Sequence, residues 1–149
     1  ADTRAYLEAL PRTLELATTA GPLLLCHGIG EHDMAKVWPG TRGPESVRRC
    51  EPLDALLAAS SHRFIVHGHL HYRVLIDFES LLLMNAGTLK GDRGGVSVAD
   101  FEADEVAAYD LAEAGGVHCR VRHSLTPSPE RRVWSSTAEF DGAWDPVLL

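Results

Sequence analysis

The chain has 149 residues, 45% of them hydrophobic, enough to bury one core of ordinary domain size. Fourteen Lys and Arg against 21 Asp and Glu leave a formal net charge of -7, which works against a broad basic surface gripping nucleic-acid backbone or anionic lipid, while still permitting local phosphate binding through a metal. Cys26, Cys50 and Cys119 form neither a Cys-x-x-Cys pair nor a disulfide framework, which favours a reducing compartment. The longest apolar runs, Pro22–Cys26 and Leu81–Met84, are too short to span a bilayer, and nothing near the start resembles a signal peptide. A cytoplasmic protein is therefore expected.

From Asp2 to Leu16, Tyr6, Leu7, Leu10 and Leu14 recur at three and four, predicting a helix capped by Asp2 or Thr3, with Pro11 as a kink. Gly21 and Pro22 break that pattern, and Leu23 to Cys26 read as a strand buried on both faces, ended by His27 and Gly28. Residues 28–50 lack periodicity and are rich in Gly and Pro, as in a long surface loop beside a strand end. A second helix is predicted over Pro52 to Ala59, with Leu53, Leu56 and Leu57 on one face.

The next strand, Arg63 to His67, runs into the stretch His67-Gly68-His69-Leu70-His71. Alternation of Val74, Ile76 and Phe78, followed by Leu81 to Asn85, predicts a hairpin, and Val96–Phe101 with Val106–Leu111 predict another. Alternating helices and strands followed by a run of strands suggest an α/β layered sandwich. Residues 112–149, with Trp134, Phe140 and Trp144 spread through polar sequence, read as a tail that docks by its aromatics.

Histidines at two strand ends can meet beyond the carboxyl edge of a parallel sheet if the strands are neighbours. Imidazoles suit Zn, Mn or Fe, and Gly68 lets the chain turn so that flanking side chains converge. The alternative is that they simply hydrogen-bond to nearby backbone or water. Cys26, at the end of an apolar strand, reads as a small core residue.

Gly68-His69-Leu70-His71 resembles the Gly-His-x-His signature of the calcineurin-like metallophosphoesterases. Cys26-His27-Gly28 is similar to their upstream strand-end His-Gly, and Asn85-Ala86-Gly87-Thr88-Leu89 to the segment after the signature in their small bacterial phosphodiesterase branch. The resemblance spans about residues 1–111 and implies an αββα sandwich, with residues 112–149 as an extension. It implies two divalent ions, Mn, Fe or Zn, that activate a water or hydroxide for in-line attack on a phosphomonoester or phosphodiester. By position, His27 and His69 would bind one ion and His71 the other, while Asn85 and Gly87 would turn the chain beneath the site.

The family's upstream Asp-x-His, bridging Asp and Gly-Asn-His-Asp motifs do not precede His27, and the chain begins at Ala1 without methionine. A C-terminal portion of a longer enzyme, inactive or nearly so by itself, is therefore expected. Gly30-Glu31-His32-Asp33 resembles the last missing motif but lies after His27; His32 and Asp33 are the candidates for contacting substrate or orienting His27. Arg73, Lys90 and Arg93 are candidates for a phosphate-binding rim. Two rival readings remain open: an inactive interaction module on the same fold, and a hydrolase with one zinc held by His27, His69 and His71. A small phosphorylated substrate is expected on the leading reading.

Overall fold

A computed structural model describes residues 2–43, 45–91, 94–111 and 115–149. Helix α1 (Thr3–Glu8) starts where the Asp2 carboxylate accepts the Arg4 N–H at 3.0 Å. It stops well short of the predicted end. Proline disfavours helical geometry in the residue before it, so Pro11 breaks the helix rather than kinking it. Leu14 and Leu16, which also alternate, then enter strand β1 (Thr13–Thr18), where pairing with β2 (Gly21–Cys26) outweighs the weak helical spacing.

The main sheet runs β1-β2-β3-β5-β4-β10, with β3 at Phe64–His67, β4 at Arg73–Phe78, β5 at Leu82–Ala86 and β10 at Val147–Leu148. Strand β9 (Val133–Trp134) also pairs with β4. Strands β2, β3 and β5 are parallel neighbours, so their carboxyl ends share one rim. A second, antiparallel sheet of β6 (Gly95–Asp100), β7 (Glu105–Leu111) and β8 (Val117–Ser124) lies over part of the first.

One core fills the space between the sheets, where Leu23, Phe64, Leu75, Leu82 and Met84 meet Val106, Ala108 and Leu125. The other lies on the opposite face of the main sheet, under α2 (Glu51–Ala59). The result is a mixed α/β layered sandwich with few helices. Among the described residues, no helix is long and apolar enough to cross a membrane.

Two expectations are corrected by packing. The segment 28–50 is not draped on the surface: Ile29, Val37 and Trp38 are fully buried, and Trp38 stands edge-on to Trp144 with ring centroids 5.2 Å apart. Strand β2 is not buried on both faces along its length. Leu14 and Leu25 pair on the face that carries Leu23, yet they are 46% and 41% exposed, because the second sheet does not cover them.

Trp134, Phe140 and Trp144 all enter the helix-side core. Polar anchors reinforce this docking. The Asp54 carboxylate accepts from the Thr137 N–H and hydroxyl, both at 2.7 Å, and Arg131 donates to the buried Asp77 carboxylate at 2.9 Å and to the Ser124 and Thr126 carbonyls. Burial pushes the Asp77 carboxyl above its usual range although Arg131 pulls it down, so desolvation offsets much of the pair's attraction.

Breaking the pair differs from never having it. Arg131→Met leaves a buried carboxylate unpaired and is expected to cost about 3–5 kcal/mol. The double change Asp77→Leu with Arg131→Met is expected to recover a substantial part of that loss. Urea denaturation of the three proteins checks both outcomes.

Candidate metal centre

Strand register brings the histidine segments together. Leu25 pairs with Val66, and two residues beyond that pair the Gly68 N–H donates to the His27 carbonyl at 2.9 Å. The rings of His27 and His69 then meet edge to face, with centroids 5.3 Å apart. Gly28 is required immediately after His27: a Cβ there would lie 2.2 Å from the His32 carbonyl oxygen and 2.6 Å from that of Asp33. The loop 29–33 thus folds back onto the strand end.

The signature turn is locally strained. His69 and His71 both have positive φ, 69° and 55°, and neither is glycine. Across His69 the Leu70 N–H donates to the Gly68 carbonyl at 2.8 Å, which closes a γ-turn of the rare positive-φ kind. Leu70, 6% exposed in the helix-side core, pins the turn between the two histidines. Strain of this sort, held by packing, is a mark of functional sites.

Asn85 serves as a brace. Its amide N–H donates to the Gly68 carbonyl, and its side-chain oxygen accepts the Gly87 N–H at 3.0 Å. Its remaining contact is a long 3.4 Å approach to His67 Nε2. His67 is buried beneath the site, and burial, aided by His69 and His27, lowers its pKa to about 3. Burial and the neighbouring His27, Lys36 and His71 lower the pKa of His69, while Glu45 opposes them. Both imidazoles are therefore biased toward the neutral form that metal binding requires.

His69 Nε2 is buried and has no hydrogen-bond partner in the protein. An orphaned imidazole nitrogen beside a second imidazole fits a divalent ion shared by His27 and His69. His71 is not part of that pair. It is exposed and lines a cleft with Tyr72, Arg73, Arg120, Leu148 and Leu149. Among the described residues, no three His, Cys, Asp or Glu side chains converge on one point.

His32 and Asp33 are placed differently from the imidazole pair. His32 is exposed and its backbone bonds to Ile29, while the Asp33 carboxylate lies 3.8 Å from Arg12. Glu31 accepts a hydrogen bond from the Thr13 hydroxyl at 3.1 Å, so this acidic stretch is tied to the start of β1. Arg73 lines the cleft beside His71, but its guanidinium is already engaged. It is 5% exposed and braces the two sheets, donating to Asp110 and to the Tyr109 carbonyl. Lys90 is exposed, and Arg93 lies outside the described residues. Burial raises the Cys26 thiol pKa and disfavours the reactive thiolate.

Sequence reasoning missed Lys36 and Glu45, an ion pair at 2.8 Å whose charges both act on His69. They are far apart in a segment without periodicity, and only the burial of Trp38 and the Trp38–Arg48 bridge folds that segment back.

Gly28→Ala is expected to push the 29–33 loop off the strand end and to cost about 1–3 kcal/mol in chemical denaturation. In the metal-free protein His67 should remain neutral in nitrogen NMR down to about pH 4. An unfolded histidine takes its proton near pH 6.5, whereas folded His67 does so only near 3. The unfolded chain binds the extra proton throughout that window, so His67 makes stability fall as pH drops from about 6.5 toward 3.

No protein-family model matches the sequence, and no curated protein matches it. Solved structures do resemble its fold. Vps29 from Entamoeba histolytica, in a Zn2+ complex, is 20% identical over 79% of this chain and 63% of its own, with a TM-score of 0.51. A hypothetical protein from Pyrococcus horikoshii OT3 is 13% identical over 70% of this chain and 42% of its own, with a TM-score of 0.53. The chain therefore spans less than two thirds of the length of either match, and its fold is of the Vps29 type.

Proposed function

We propose that this chain is the C-terminal portion of a metal-dependent phosphoesterase, with His27 and His69 as two ligands to one divalent ion. His71, set apart from that pair, would serve a second ion, and polypeptide beyond this chain would supply the carboxylates. The observation that carries the reading is the orphaned, buried His69 Nε2 beside the His27 ring. The zinc in the Vps29 complex and the resemblance of Gly68-His69-Leu70-His71 to the phosphoesterase signature support it.

Bound divalent ions would supply Lewis-acid charge for hydrolysis of a phosphomonoester or phosphodiester. The chain's own part is positional. The γ-turn and Leu70 set the His69 ring, Asn85 braces the turn, and burial of His67 keeps an uncharged base beneath it. His32 and Asp33 would contact substrate or orient His27 only by closing over it, since Asp33 faces Arg12 and the exposed His32 bonds by its backbone to Ile29.

A second reading, an interaction module without catalysis, is favoured by one observation. Leu14, Leu16 and Leu25 form an exposed apolar strip beside the second sheet, of a kind that binds other polypeptide.

Zinc titration calorimetry with bis(p-nitrophenyl) phosphate hydrolysis separates these readings. The 149-residue chain is expected to take up zinc weakly, with uptake reduced about tenfold or more in His27→Ala and in His69→Ala, and to hydrolyse the ester negligibly by itself. In the natural polypeptide that contains it, His69→Ala should abolish hydrolysis. No metal uptake and no hydrolysis in either protein would leave the interaction module as the function.

A further inference from the structure

The cleft beside His71 holds a feature that the ligand assignment does not use. It measures about 130 Å3 and is walled by β4 and β10 on one side and β8 on the other, with Arg73 and Arg120 as its cations. Arg73 is spent: its side chain is 3% exposed, and its two terminal nitrogens donate to the Tyr109 carbonyl and the Asp110 carboxylate. Arg120 is different. Its guanidinium is half exposed and stands 3.9 Å from Asp110, beyond hydrogen-bond reach. Asp110 is thereby held by Arg73, and Arg120 keeps its paired N–H groups for a ligand.

Charge favours an anion here. Arg73 and Asp110 offset each other, so the Arg120 guanidinium is the charge that a ligand in the cleft would meet. A planar guanidinium suits the two oxygens of a phosphoryl group, and Leu148 and Leu149 offer an apolar wall beside it. His71 links the cleft to the candidate metal centre, since it lines the one and lies two residues from His69.

We infer that this cleft is a phosphate-ester subsite in which Arg120 grips the phosphoryl oxygens and the leucine wall takes the ester's organic part. The inference rests on the phosphoesterase reading for its substrate class, but binding in the cleft needs no metal.

The test titrates phenylphosphonate, a non-hydrolysable probe, into the 149-residue chain with and without zinc, and follows amide shifts at residues 71–73 and 118–121. Saturable binding is expected, about tenfold or more weaker in Arg120→Gln and unchanged in Arg4→Gln on α1. Zinc uptake should be the same in all three proteins. Equal binding by wild type and Arg120→Gln would overturn the subsite, as would no saturable binding by wild type in either metal state. Loss of zinc uptake in Arg120→Gln would also overturn it, because the change would then act through the fold. Arg120-dependent binding in a chain that takes up no zinc would keep the subsite and discard the metal centre.

Discussion

One hydrogen bond couples the two halves of the candidate site: the Gly68 N–H to the His27 carbonyl, two residues past the last β2–β3 pair. It fixes how far each strand runs before its histidine turns away, and so sets the spacing of the His27 and His69 rings. The geometry depends on parallel pairing. Were β2 and β3 antiparallel, the two segments would lie at opposite ends of the sheet. β5 belongs to the same parallel set, which is why Asn85 arrives beside Gly68 and can brace the turn.

Around that bond the protein accumulates local costs that only packing repays. Two histidines adopt left-handed backbone conformations, His67 is buried without a partner for Nδ1, and His69 has a buried unpaired nitrogen. Leu70 in the core and the Asn85 brace hold this arrangement in place. Left-handed backbone at two non-glycine residues, held by packing beside two buried unpaired imidazole nitrogens, marks that rim as the candidate site.

Much of this was legible in the sequence. Short β-branched and leucine-rich runs bounded by glycine marked β2 to β7 within a residue or two, and Pro52 near the start of its apolar run marked α2. The histidine pair was legible because His27 directly follows one strand and His69 lies two residues past the end of another. The rest depended on tertiary choices with weak local signals. Leu10 and Leu14 fit a helix as well as Leu14 and Leu16 fit a strand, and only pairing with β2 decided between them. Arg73 looks like any surface arginine until the second sheet closes over it, and Arg120 matters only because Asp110 is already held by Arg73. Lys36 and Glu45 reach His69 through a loop folded by Trp38, which no periodicity announces.

The most direct test of the account is long-range 1H–15N NMR of the histidine rings during zinc addition. Ring nitrogens of His27 and His69 are predicted to shift together, with His67 remaining neutral and unmoved beneath them. Zinc that perturbs His67 while leaving His69 unchanged, or that shifts neither ring of the pair, would contradict the central claim.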